Sequence, residues 1–146
     1  MVKCEELNAD MICRLIDRAI EGMSYAYTPY SGFRVGAALL TESGEIYTGC
    51  NIENAAYTPT NCAERTAFFK AVSEGERHFA AICIVGGKDG KLADYTSPCG
   101  VCRQVMMEFC EPEQFKIILA ISREEYRIYT LKELLPEGFG PARLAR

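Results

Sequence analysis

Residues Phe79 to Val85 read FAAICIV, and Phe115 to Ile121 read FKIILAI. A strand with one wet face alternates apolar and polar residues, whereas near-continuous apolar runs of this length belong to strands covered on both faces. Working outward, Gly86 to Pro98 reads as a loop, and Gly100 to Cys110 fits a helix stopped before Pro112. Before the first run, CAERTAFFKAVSEG from Cys62 predicts a helix that ends near Gly75, a fitting C-cap. VGAALL (Val35 to Leu40), the turn TESG (Thr41 to Gly44) and EIYTGC (Glu45 to Cys50) read as a β-hairpin. At the N-terminal side, Met11, Ile12, Leu15, Ile16, Ala19, Ile20 and Met23 form the stripe of an amphipathic helix, with Asn8 as its N-cap. At the C-terminal side, Glu125 to Thr130 alternates like an outer strand, and Leu131 to Leu135 suggests a short helix or turn. The tail, Pro136 to Arg146, is rich in Pro and Gly and reads as extended. Strands alternating with helices predict an α/β fold: a three-layer α/β/α sandwich around a mixed five-stranded sheet. The expected organisation is one domain over residues 1–146.

Composition narrows the chemistry. The chain has 146 residues, 49% hydrophobic and 25% charged, a profile suited to one globular domain that buries its own core. With 16 basic and 20 acidic residues the net charge is −4, which opposes bulk binding of nucleic acid or an anionic membrane. No stretch approaches the roughly 18 consecutive apolar residues of a membrane span. The start, MVKCEELNADMICRLIDR, carries acidic residues where a secretory signal would be apolar. The expectation is a cytoplasmic protein with reduced cysteines. Eight cysteines stand beside a single histidine, His78, so any triad or metal site must use it or do without, and reduced cysteines favour metal binding or catalysis over disulfides.

Two cysteine contexts stand out: Cys62-Ala63-Glu64 at one predicted helix start and Pro98-Cys99-Gly100-Val101-Cys102 at the next. A C-x-x-C pair on a first helical turn, joined by a third thiolate from another helix, supplies three ligands of the kind Zn²⁺ prefers. Three protein ligands leave a fourth position for water, the mark of a catalytic rather than a structural zinc. Glu64, on the same turn as Cys62, is placed to act as a proton carrier. Zn²⁺ with three thiolates carries a net −1, so charge must be withdrawn from the sulfurs. Two helix N-termini supply part of that compensation, and Arg65 and Arg103 each follow a ligand closely. The pattern C-x-E with P-C-x-x-C resembles the signature of zinc-dependent nucleobase deaminases.

Over nearly its whole length the sequence resembles the small, homotetrameric, three-cysteine class of cytidine deaminases. The resemblance is carried by FRVGAAL (Phe33 to Leu39), GCNIENAAY (Gly49 to Tyr57), NCAERTA (Asn61 to Ala67), PCGVCRQV (Pro98 to Val105) and LLPEGFGP (Leu134 to Pro141). It implies a hydrolase that converts cytidine and 2′-deoxycytidine to uridine and 2′-deoxyuridine, with one Zn²⁺ per subunit on Cys62, Cys99 and Cys102 and Glu64 as catalytic acid and base. It implies further that Arg65 hydrogen-bonds a ligand sulfur. By the same resemblance the Ala63 N–H binds the base's O2, the Ser97 carbonyl contacts the amino group, and Phe33 stacks on the base. Asn51 and Glu53 bind the ribose 3′-hydroxyl, a pairing that suits a group able to donate and accept. Phe139, in the tail, completes a neighbouring subunit's pocket, which implies a homotetramer with shared sites and a subunit interface that includes residues 136–146.

Other readings stand beside these. A bare C-x-x-C also occurs in thiol oxidoreductases, and a structural zinc could draw a fourth ligand from Cys50, Cys83 or Cys110. Within deaminase chemistry, the substrate could be another aminopyrimidine nucleoside such as blasticidin S. Cys4, Cys13, Cys83 and Cys110 read as buried or incidental thiols, and Cys50 has no assigned role. Phe68, Phe69 and Phe109 fall at helical positions more typical of core, and His78 reads as a surface residue before a strand.

Overall fold

In the computed structural model, which describes residues 7–144, the chain forms a five-stranded sheet between two layers of helices. Cys4 lies outside the described residues, as do the last two positions of the tail. Helix α1 (Ala9–Met23) begins where Asn8 Oδ1 accepts from the Met11 N–H at 2.9 Å. Its stripe Ile12, Leu15, Ile16, Ala19 and Met23 is buried against the sheet, while Ile20 falls on the exposed rim. Strands β1 (Phe33–Thr41) and β2 (Ile46–Cys50) form the antiparallel hairpin, paired from Gly36–Cys50 to Leu40–Ile46. Helix α2 (Ala63–Ser73) leads into β3 (Phe79–Lys88), and α3 (Gly100–Phe109) into β4 (Lys116–Ala120). Strand β5 (Tyr126–Thr130) and the one-turn helix α4 (Leu131–Leu134) follow.

The sheet order is β2-β1-β3-β4-β5. Only β3 and β4 are parallel; the other three pairings are antiparallel, so the sheet is mixed. The alternation of side chains along a strand divides β1 between two cores. Ala38 and Leu40 join α1, whereas Val35, Ala37 and Leu39 face the side that carries α2 and α3. The apolar run of β3 divides the same way, Ile82 and Ile84 to one side and Ala81, Cys83 and Val85 to the other. Burial on both faces is why these strands lack polar alternation.

Two glycines set how closely helices approach the sheet. A Cβ on Gly36 would lie 2.0 Å from the Ala19 carbonyl, so α1 rests directly on the backbone of β1. A Cβ on Gly49 would lie 2.3 Å from the Ala63 carbonyl and 2.6 Å from the Ala67 nitrogen. The first turn of α2 therefore sits against β2 with no room for a side chain.

The structure departs from expectation in three places. Strand β1 begins earlier, with Phe33 and Arg34, and β3 runs on through Gly86–Lys88, because those segments pair with each other. The tail is not wholly extended, since Pro141–Leu144 turns as a 3-10 helix. Phe69 is 48% exposed, unlike Phe68, whose ring is buried beside Phe79, Phe109 and Phe115. Adjacent residues on a helix point about 100° apart, so one of a Phe-Phe pair turned to the sheet leaves the other outside. His78 is exposed immediately before β3, and Cys83 is fully buried within it.

Candidate active site

The site is built where two helices begin. Cys62 is the N-cap of α2 and Cys99 the N-cap of α3, each with extended backbone angles that turn the chain into its helix. Cys102 lies on the first turn of α3 and is buried. The sulfurs of Cys62, Cys99 and Cys102 all lie within 4.8 Å of one another, and the Cys62–Cys99 separation is 3.8 Å. A tetrahedral ion with Zn–S bonds of about 2.3 Å holds its sulfurs about 3.8 Å apart, so the donor set fits zinc in both chemistry and spacing. Cys50, Cys83 and Cys110 are not members of this group, which leaves a four-cysteine structural site without its fourth ligand among the described residues.

Charge at the sulfurs is managed locally. The Cys102 N–H points at Cys99 Sγ at 3.4 Å, and Arg65 Nη2 donates to Cys62 Sγ at 3.2 Å. The Cys62 thiol is lowered to about 5, first by a hydrogen bond from Cys102 and then by Arg65. Cys102 is pushed up correspondingly, because it donates to the Cys62 thiolate and is buried. One thiolate is thus formed readily, and a cation that takes all three must displace the remaining protons. Arg65 Nε is buried and has no hydrogen-bond partner, so this guanidinium is spent on the sulfurs rather than on the surrounding fold.

Glu64 is 4% exposed, on the same helical turn as Cys62. Burial raises its carboxyl to about 7, and the Cys62 thiolate adds to the effect. A cation on the three sulfurs would oppose that rise by attracting the carboxylate. Ala63 is the first residue of α2, so its N–H has no partner within the helix.

A second cluster surrounds the start of β1. Asn51 clamps that strand: its Oδ1 accepts from the Val35 N–H at 2.9 Å, and its Nδ2 donates to the Phe33 carbonyl at 2.8 Å. One N–H and one lone pair of the amide remain available. Glu53 Oε1 accepts from the backbone N–H groups of Tyr30 and Ser31 at 3.0 and 3.1 Å. The Ser31 hydroxyl donates to its other oxygen and accepts from the Phe33 N–H at 2.9 Å. These bonds, the Ser31 hydroxyl foremost, hold the Glu53 carboxyl below the usual carboxylate range. Asn51, Glu53 and Phe33 are therefore tied into one network.

Ser31 was not singled out from sequence, and neither was Lys88, whose Nζ donates to the Ser31 carbonyl at 2.6 Å. Ser31 lies in a Pro- and Gly-containing loop, where a serine is unremarkable until its partners are known. Ser97 lies just before the α3 start, and its hydroxyl accepts from Arg103 Nη2 at 2.8 Å. Phe139 stands apart in the tail: the residue is 58% exposed, and its carbonyl accepts from Gln104 Nε2 at 2.8 Å. Cys13, Cys50 and Cys110 are half-buried. Tyr57 is exposed and lines a shallow pocket with Tyr30, Ser31 and Glu53.

Comparison with known proteins agrees with this geometry. Residues 10–118 match the family model described as the cytidine and deoxycytidylate deaminase zinc-binding region. A cytidine deaminase of Sporosarcina psychrophila is 50% identical over 126 residues, covering 86% of this chain and 89% of that protein. One from Halalkalibacterium halodurans is 49% identical over 125 residues, covering 86% and 91%. The crystal structure of the cytidine deaminase from Burkholderia pseudomallei superposes with a TM-score of 0.79 at 44% identity, over 86% of this chain and 97% of that one. The Mycobacterium tuberculosis enzyme gives 0.74 at 38% identity, over 87% and 95%. The three-sulfur group, the two helix starts that carry it and the sheet beneath them place this chain in the cytidine and deoxycytidylate deaminase family of zinc proteins.

Proposed function

We propose that the protein catalyses the hydrolytic deamination of cytidine and 2′-deoxycytidine to uridine and 2′-deoxyuridine, with release of ammonia. The observation that carries this reading is three sulfurs within 4.8 Å at two helix starts, with the buried Glu64 on the same turn as one of them. Cys62, Cys99 and Cys102 would hold one Zn²⁺ per subunit, which when bound would supply a Lewis acid that makes water nucleophilic at neutral pH. Glu64 accepts a proton from the attacking water and delivers it to N3 of the pyrimidine, so that the oxygen adds at C4. It then carries the second proton to the amino group, the C4–N bond breaks, and ammonia leaves as the C4 carbonyl forms. A carboxyl that serves at both steps must be able to gain and lose a proton, and its burial keeps competing bulk water away.

The surrounding residues bind the nucleoside. The Ala63 N–H meets O2 of the base, the Ser97 carbonyl accepts from the amino group, and Phe33 stacks on the ring. Asn51 and Glu53, held by the bonds around β1, take the ribose 3′-hydroxyl. Phe139, exposed on the tail, reaches the site of a neighbouring subunit in a homotetramer. The −4 net charge supports a free nucleoside as substrate rather than a polymer. Among the described residues no helix is long and apolar enough to cross a membrane, and the reading places the enzyme in the cytoplasm. A thiol oxidoreductase would have no use for Glu64, and a three-thiol group that holds a metal makes a poor redox pair.

The experiment is direct. Cytidine is mixed with the zinc-loaded protein and its absorbance followed, with and without a zinc chelator. Steady conversion to uridine that stops on chelation is the expected result. A folded, zinc-loaded protein that leaves cytidine unchanged overturns the reading.

A further inference from the structure

Two arginines follow metal-site cysteines, and they do different things. Arg65 reaches a sulfur; Arg103 donates elsewhere. Arg103 Nε donates to the Pro98 carbonyl at 2.8 Å, and its Nη2 donates to Ser97 Oγ at 2.8 Å. Its Nη1 donates to the Leu134 carbonyl at the end of α4. The two acceptors at residues 97 and 98 bracket a single peptide unit, the one whose oxygen is the Ser97 carbonyl. Pro98 has no N–H with which to anchor that unit from within. On the far side, the Leu134 carbonyl belongs to a final helical turn, where an outside donor is needed.

We propose that Arg103 is a positioning residue: braced on Leu134, it fixes the Ser97–Pro98 peptide so that the Ser97 carbonyl is aimed at the substrate's exocyclic amino group. The proposal rests on the deaminase reading given above. Three acceptors on two separate segments match the planar, five-donor fork of a guanidinium, and a single ammonium cannot reproduce that spread. The adjacent Gln104 holds the Phe139 carbonyl, so consecutive residues of α3 tie down both the amino-group loop and the tail. The metal-site sulfurs have donors of their own: Cys99 accepts from the Cys102 N–H, and Cys62 from Arg65.

The test compares Arg103→Lys and Arg103→Ala with the parent protein on two ligands. One is cytidine; the other is a pyrimidin-2-one ribonucleoside, which has the same base ring and sugar but no amino group. Zinc per chain is measured alongside. Arg103→Lys is included because it keeps most of the packing stem if the alanine variant fails to fold. The expected result is a fall in kcat/KM for cytidine of about 10- to 100-fold, the usual effect of losing an outer-shell support. Zinc content stays at the parent level, affinity for the amino-free nucleoside stays within about threefold, and added guanidinium partly restores Arg103→Ala. Equal losses on both ligands, zinc lost in proportion to activity, or an Arg103→Lys variant with parental turnover would each overturn the assignment. A parent protein inert towards cytidine overturns the deaminase reading and the role of Arg103 with it, whereas an active parent with an indifferent Arg103→Lys overturns Arg103 alone.

Discussion

Three thiols within 4.8 Å of one another cannot all ionise without help, and the residues around them divide that task. Arg65 is spent on Cys62, with its Nε left unpartnered in a buried position, a cost accepted only where the charge is needed. Arg65→Ala is therefore expected to lower kcat by about 10- to 100-fold while most of the zinc remains bound; activity and metal analysis on the same sample decide the point, and parallel loss of both would make Arg65 structural. Glu64→Gln keeps shape and burial but cannot carry a proton, so deamination should fall by at least about 10²–10⁴-fold with zinc content and fold unchanged. Substantial turnover in that variant would remove Glu64 from the mechanism. The same variant isolates Glu53 from Glu64. Hydrogen bonds from Ser31 and Tyr30 lower the Glu53 carboxyl, so these bonds favour the folded state above the usual carboxylate range and are lost as pH falls through the lower folded value. Cytidine affinity of Glu64→Gln, measured by calorimetry, should accordingly stay flat from about pH 8 to about pH 5.5, and Ser31→Ala should weaken it. A marked loss of affinity already between those limits would show that Glu53 is not the group that holds the sugar.

At the scale of the elements, the site depends on where two helices start. The first turn of α2 is pressed on β2 at Gly49, where any Cβ would meet two backbone atoms of α2, at 2.3 and 2.6 Å. Backbone cannot swing aside as a side chain can, so Gly49→Ala must lift the start of α2 and move Cys62 and Glu64 away from Cys99 and Cys102. The expected outcome is a folded protein with reduced zinc and activity, read by metal content, turnover and thermal unfolding together. Unchanged zinc and turnover would mean that the helix start tolerates the shift. The capping of α1 by Asn8, the hairpin and the two buried strands were legible from spacing and composition, because helices and strands impose periods of 3.6 and 2 on burial. The extensions of β1 and β3 were not, since Phe33 and Arg34 are strand only through pairing with Lys88 and Gly87. Phe69 was misplaced for a related reason: the choice between two adjacent phenylalanines is made by which one meets Phe79, Phe109 and Phe115. Only Phe68 does.

At the scale of the whole molecule, two cores on opposite faces of one sheet hold the helix starts together. Of the three metal-site cysteines, Cys102 is buried in one core, Cys62 packs against it and Cys99 is exposed; the other buried members of that core are apolar and need no ion, so removing zinc should stop turnover while the fold persists. The exposed Phe139 gives the assembly its own test. In the tetramer proposed above, Phe139→Ala is expected to raise KM for cytidine several-fold while leaving zinc content unchanged. Mixing it with Glu64→Gln subunits should restore some sites with normal KM, because the aromatic and the proton carrier then come from different chains. Failure of such mixtures to recover any site would place Phe139 within its own subunit.

The sequence by itself determined the α/β class, the order of elements and the identity of the three sulfurs and the carboxylate beside them. Periodicity reports burial, and C-x-E with P-C-x-x-C reports ligand chemistry, without reference to anything distant in the chain. What only the tertiary structure decided is which groups support that chemistry. Arg65 and Arg103 each follow a cysteine, yet one reaches a sulfur and the other spans Ser97, Pro98 and Leu134. Ser31 became the link between Glu53 and Phe33 only when the loop before β1 folded over the residues after β2. Hydrogen bonds between residues far apart in the chain depend on how the layers pack, and packing leaves no local period for a sequence to show.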